Sequence, residues 1–429
     1  MMMKVKKYIL ETIKYLLRCS WVITPYIKQV EKLYSMSNEE LLKRNEHYFL
    51  KIFRRAYQYS PFYRKLYIDA GISLEDIQGL DDLKKLPVIT KDIVKQHAEE
   101  MLVKPKWQMI KANTSGTTGT PLSVFESWSS IWMEQAYHYC YRKRCGFKMG
   151  QPLVSLRGHL DKRITSLTVH VSNTLFLSSY DINDSTIRDY FHKIKKHRPI
   201  AIEGYPSSLY ALALCLKDAN LQLNIPVAFT SSESLLEYQR NLIEAQLNTE
   251  IFDNYGMTER TICLFESYNH NGYYEAPGYS INEFVEDGEI CTSLINKDFP
   301  MIRYKSNDII EFEEPTQENN QLIIKSIGGR NENYVLCKDG AKIKRLDFVF
   351  KGVQHVKYSQ LIQREDGIVE VRVVPENDFS ETDELMIKNN LLNRLGNGNV
   401  DFKILRITEK DLVYTKRGKF NFVVNMIGD

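Results

Sequence analysis

The opening stretch of the chain mixes basic and apolar positions at helical spacing: Lys4, Lys6, Lys7 and Lys14 interleave with Tyr8, Ile9, Ile13, Leu16 and Leu17. This spacing predicts an amphipathic helix with a basic polar face. Glu11, Lys14 and Arg18 interrupt the apolar run, so it cannot span a bilayer, and no small-residue cleavage site marks an export signal. The expectation is a helix docked through its apolar face on the protein's own body, with a membrane surface as the alternative. Residues 38–58 read as a second helix, opened by Ser37-Asn38-Glu39-Glu40. Pro61 stops the next segment, and Leu86-Pro87-Val88-Ile89-Thr90-Lys91 leads into a helix capped at Thr90.

From about Lys111 short apolar runs alternate with helical stretches. Strands are predicted at 152–157, 201–203, 228–231 and 251–254, and helices at 184–197, 207–217 and 235–247. Alternation of this kind argues for an α/β domain built on mainly parallel sheets. Residues 288–294 and 301–304 read as a β-rich closing part. After Gly328-Gly329-Arg330, strands are predicted at 356–363, 368–374, 400–407 and 420–424, with Asp366-Gly367 as a hairpin turn and a helix at 381–395. The expected organisation is a large domain over 1–328, with a helical extension at 1–36, and a small α+β domain over 329–429.

Composition changes this picture little. The 429 residues are 43% hydrophobic and 26% charged, ordinary values for a globular chain with a large core. A formal charge of +3 gives no argument for nucleic acid. The seven cysteines lack metal-ligand spacing, and the expectation is reduced thiols in a cytoplasmic enzyme, membrane-associated at most at its periphery.

Five segments can carry chemistry. In Thr114-Ser115-Gly116-Thr117-Thr118-Gly119 two glycines and a row of hydroxyls can wrap an anion, yet no Gly-Lys-Ser/Thr ends the loop as in a Walker motif. Taken alone, it is equally a polar surface loop. Tyr255-Gly256-Met257-Thr258-Glu259 follows a predicted strand, where open α/β sheets place ligand loops, but a solvated strand-end turn fits as well. Asp308, after Arg303-Tyr304, can accept from ribose hydroxyls or sit in a charged turn. Gly328-Gly329-Arg330 and Lys416-Arg417-Gly418-Lys419 are each, singly, exposed basic turns.

In this order the five segments resemble the adenylate-forming superfamily of acyl-CoA synthetases, adenylation domains and luciferases. Leu86 to Lys91, Leu156-Arg157-Gly158, Glu203-Gly204-Tyr205-Pro206-Ser207 and Thr230-Ser231-Ser232-Glu233 look like its phenylacetate–CoA ligase branch, and within that the subgroup associated with capsular polysaccharide biosynthesis. The resemblance covers nearly everything after residue 40. It implies ATP- and Mg²⁺-dependent activation of a small carboxylic acid as acyl-AMP, followed by transfer to CoA, a carrier-protein thiol or a sugar amine.

The resemblance also implies residue roles. Ser115, Gly116, Thr117, Thr118 and Gly119, with Thr114, bind phosphates, Thr118 near the α-phosphate. Glu259 holds Mg²⁺ and Tyr255, with Gly256 and Thr258 beside it, packs on adenine near Ser232 and Glu233. Asp308 binds ribose, Arg330 contacts ribose or phosphate, and Lys419 stands between the α-phosphate and the substrate carboxylate. Tyr205, Pro206, Ser207 and Trp132 are expected to line the acyl pocket, although an aromatic stripe such as Trp128 and Trp132 also suits a packed core. Four departures from the pattern stand out: Thr120, the pair Ser231-Ser232, Asn307 and Asn333. The last puts the domain rotation of the thioester step in question. The alternative function is a nucleotide-binding scaffold of a polysaccharide-assembly complex that has kept the fold and lost the chemistry.

Overall fold

The computed structural model describes residues 2–113, 122–158, 160, 164–285, 288–306, 308–313, 323–330, 334–343, 346–350, 352–353, 355–365, 367–395, 398–414 and 420–427. Helices Met2–Arg18 (α1), Thr24–Ser35 (α2), Asn38–Tyr59 (α3) and Pro61–Asp69 (α4) come first. The start of α3 is the expected capping box: the Glu40 N–H donates to Ser37 Oγ at 3.2 Å, and the Ser37 N–H donates to Glu40 Oε2 at 2.9 Å. Pro61 lies just past α3 and opens α4 as its first residue, where a missing N–H costs nothing. Lys91–His97 (α5) begins at Thr90, but that side chain makes no capping hydrogen bond.

Trp128–Arg144 (α6), Ile187–His197 (α7), Pro206–Asp218 (α8) and Glu237–Leu247 (α9) flank a ten-stranded sheet. At its centre Thr174–Ser178, Leu153–Arg157, Ala201–Gly204, Val227–Ser231 and Glu250–Gly256 run parallel in that spatial order. Alternate residues serve opposite faces. Ile202, Ala228 and Ile251 pack with Leu209, Leu212 and Ile243, whereas Phe229 and Phe252 pack with Tyr137 and Tyr141 of α6. The expectation of a mainly parallel sheet needs correcting. Beyond Glu250–Gly256 the sheet continues in space through Cys263–Glu266, Tyr273–Glu275, Ile323–Arg330 and Asp308–Glu313, every neighbour antiparallel. The connections 257–262, 267–272 and 314–322 are too short for a crossover, so the strands they join pair antiparallel and the sheet is mixed. The pair Ser166–Val169 and Thr174–Ser178, which the hydrophobic pattern did not predict, closes the other edge.

A second sheet orders Ile89–Thr90, Tyr304–Lys305, Gly288–Ser293 and Ser280–Val285, and Ile110–Asn113 forms a hairpin with Ser123–Glu126. In the C-terminal part Asp401–Arg406, Ile368–Pro375, Val356–Glu365 and Val423–Asn425 form a sheet covered by Glu381–Leu395 (α10). Ile387, Leu391 and Leu395 of α10 pack on Val369, Val371 and Val373. This part meets the large sheet's helices at α8, where Tyr358 packs edge-on against Tyr210 at 5.5 Å and Lys217 Nζ pairs with Glu376 Oε2 at 2.8 Å.

Helix α1 overturns its expected orientation. It packs near Ser166–Val169 and α6, but the half-buried side is Lys7, Tyr8, Glu11, Thr12 and Tyr15. Ile9, Ile13, Leu16 and Leu17 are exposed. Tyr8 joins the Leu160–Leu167–Phe176 cluster, and Glu11 takes Lys14 at 2.9 Å and Lys7 at 3.5 Å, so partners exist for the polar face. Among the described residues no helix is long and apolar enough to cross a membrane.

Candidate active site

The central strand Glu250–Gly256 carries Tyr255 near its C-terminal end and runs into a tight turn, 257–262, before returning as Cys263–Glu266. Beneath its end, buried Asp253 accepts from Thr230 Oγ1 at 2.6 Å and Tyr273 Oη at 2.7 Å. Burial pushes the Asp253 carboxyl up to about 6 in spite of those two donors. The network fixes the strand end from which the turn projects.

On the turn, Glu259 Oε1 accepts from Tyr304 Oη at 3.3 Å, which ties it to the second sheet. The next residue, Arg260, is in the left-handed region at φ +58° and is almost fully buried. Its guanidinium pairs with Glu126 Oε1 at 2.7 Å and with Glu134 of α6. Glu126 ends the hairpin whose two strands flank residues 114–121. Arg260 therefore fastens the Glu259 turn to the strand Ser123–Glu126 and to α6. Such a strained, buried cation persists only where its surroundings hold it. It was not among the expected site residues.

Tyr255 Oη donates to Asp308 Oδ2 at 2.5 Å. The Asp308 N–H donates to Ser306 Oγ at 3.0 Å, and Ser306 Oγ donates to Glu289 Oε1 at 2.5 Å. Glu289 is completely buried. Burial, opposed by the Ser306 bond but aided by the Asp308 charge, pushes its carboxyl up to about 8. Asp308 also lies opposite Arg330 in the strand register, although the Arg330 side chain is outside the described residues.

A second group forms where two neighbouring parallel strands end. Glu233 Oε2 accepts from the Ser207 N–H at 3.1 Å, in the first turn of α8, which Tyr205 and Pro206 open. A carboxylate is favourable at a helix N-terminus. Ser232, beside it, is left-handed at φ +68°. Burial and then the Glu233 charge raise the Tyr205 phenol; in the C-terminal part burial, then the Glu409 charge and then the Glu233 charge raise Tyr414, which leads into residues 415–419. Behind Tyr205, Glu203 is paired to Arg142 Nη2 at 2.7 Å. Burial alone would raise its carboxyl, but Arg142 and Arg157 bring it down to about 2.

Trp132 stands elsewhere than in this group. Its Nε1–H donates to Leu17 O at 2.8 Å, and its ring packs with Trp128 and Tyr26, so it anchors the N-terminal segment. Gly256 ends the central strand and Thr258 is exposed on the turn after it. Thr114, Ser115, Gly116, Thr117, Thr118, Gly119, Thr120, Asn307, Asn333 and Lys419 lie outside the described residues.

No group of three or more His, Cys, Asp or Glu side chains could hold a metal among the described residues. Magnesium commonly uses one or two protein carboxylates together with phosphate oxygens, and the half-exposed Glu259 suits that arrangement.

Residues 335–426 match the CapK C-terminal domain. Over 94% of the chain the sequence is 24% identical to protein CapK of Staphylococcus aureus, of which it covers 92%. It is 21% identical to the phenylacetate-coenzyme A ligase of Aromatoleum evansii, covering 74% of this chain and 76% of that one. Among solved structures, 2-hydroxyisobutyryl-CoA ligase in its postadenylation state, with a bound acyl-AMP, superposes with a TM-score of 0.72 at 16% identity, over 91% of this chain and 90% of that one. The same ligase in its thioesterification state scores 0.54, at 17% identity over 92% and 91%.

Proposed function

We propose that this chain, a phenylacetate–CoA ligase-like relative of the adenylate-forming enzymes, activates a carboxylic acid as acyl-AMP and passes the acyl group to CoA. The observation that carries the reading is the Tyr255–Asp308 hydrogen bond, with Glu259 on the turn that follows Tyr255 in the chain and held there by Tyr304. A carboxylate aligned by a phenol can accept hydrogen bonds from ribose hydroxyls. Arg260 anchors the turn that carries Glu259 to Glu126, and the loop at 114–119 would supply backbone and hydroxyl donors to phosphate.

A substrate carboxylate oxygen attacks the α-phosphorus of ATP, and the α–β bridging oxygen leaves with pyrophosphate. Magnesium, where bound by Glu259 and phosphate oxygens, supplies charge neutralisation. Lys419 stabilises negative charge developing between carboxylate and phosphorus. Tyr205 and Ser207, beside Glu233, border the acyl pocket. A thiolate then attacks the acyl carbonyl and AMP leaves. The higher score with the postadenylation state supports a C-terminal part standing on the adenylation side of that cycle. The biological setting we infer is capsule or surface polysaccharide synthesis.

The test is mass spectrometry of products from ATP, Mg²⁺ and a panel of aryl, fatty and amino acids, with and without CoA. Acyl-AMP alone without CoA and acyl-CoA with it support both steps. ATP binding with no acyl-AMP for any acid would favour the inactive scaffold.

A further inference from the structure

Helix α1 is docked inside out. Along a helix of 3.6 residues per turn Val5, Ile9, Ile13 and Leu16 follow one face, with Leu10 and Leu17 beside them. All six are between 42% and 51% exposed. Trp21, in the short turn that follows, is 79% exposed. Apolar residues exposed singly are ordinary, but a contiguous row on one helix marks a surface that meets something.

Charge says what it meets. Residues 1–30 carry Lys4, Lys6, Lys7, Lys14, Arg18 and Lys28 against one acid, Glu11. Glu11 is turned inward onto Lys7 and Lys14, so Lys4, Lys6 and Arg18 form an exposed rim with no acid among them. A second copy would set this cationic rim against itself. An anionic bilayer complements both features, taking the apolar row at the acyl boundary and the cations at its phosphates. Lys6, within the row, can extend its stem and keep its ammonium at the headgroups.

The helix is also fastened to the body, through Trp132 to Leu17 O and through Cys19 Sγ to Gln135 Oε1 at 3.2 Å. We propose that α1 lies in the plane of an anionic lipid surface and holds the whole molecule there.

The test is flotation of the full-length protein with phosphatidylcholine vesicles, with or without about 30 mol% phosphatidylglycerol. The protein should float with the anionic vesicles and not the neutral ones, and leave them as salt rises toward roughly 0.5 M. Ile9→Asp with Ile13→Asp should weaken flotation by about tenfold or more, since two apolar anchors are lost. Lys4→Glu with Lys6→Glu should weaken it on anionic vesicles. These side chains face solvent, so an unchanged melting temperature confirms that the variants fold. Failure of the wild type to float, or flotation indifferent to both double variants, overturns the proposal. So does a dimer in sedimentation velocity that Ile9→Asp with Ile13→Asp abolishes while wild type ignores vesicles, which would give the face to a second copy.

Discussion

Arg260 sits between a buried carboxylate, Glu126, and a half-buried one, Glu134, so its loss should be costly in a specific way. Arg260→Met leaves Glu126 and Glu134 without their cation and should destabilise the protein by about 3 kcal/mol. Urea unfolding checks this; a change below about 1 kcal/mol would mean that the turn is held otherwise. Tyr255→Phe removes the bond to Asp308 and should raise the KM for ATP about tenfold while leaving that for the acid nearly unchanged. Glu289 makes a pH prediction. Its folded value, raised to about 8 from 4.5, means that between those values the folded protein holds a proton the unfolded chain has lost. Stability therefore falls as pH rises through that window. The stability of Glu289→Gln relative to wild type should rise between pH 5 and 8, measured by urea unfolding at each pH; a flat difference would deny the buried proton. At this scale the sequence singled out Tyr255, Glu259 and Asp308 as candidates, because each stands in a short motif. It did not reveal Arg260 or Glu289, whose importance lies in partners far away in the chain.

Helix starts were legible because a cap is a local event. Ser37 and Glu40 are three residues apart and satisfy each other's backbone. Ser37→Ala should cost about 1 kcal/mol in urea unfolding, and no measurable cost would mean that α3 is held by packing alone. Sheet direction after Gly256 was less legible, since a strand's residues do not say which neighbour it joins. Likewise, amphipathicity identified two faces of α1 without saying which would turn inward. The partners of Tyr8, Glu11 and Tyr15 decided that, and they come from elsewhere in the fold.

At the scale of the molecule, the change from alternating α and β segments to a β-rich end is the reason to expect an α/β body followed by a smaller α+β part. The two meet at α8, whose first turn also carries Ser207 against Glu233. Movement at that contact would be felt at the candidate acyl pocket. The proposal that joins these parts is adenylation, and acid-dependent exchange of labelled pyrophosphate into ATP tests it most directly. The account predicts exchange that needs Mg²⁺ and one class among aryl, fatty and amino acids, and that falls by about a hundredfold or more in Lys419→Ala. No exchange with any acid, or exchange unchanged in Lys419→Ala, would contradict it.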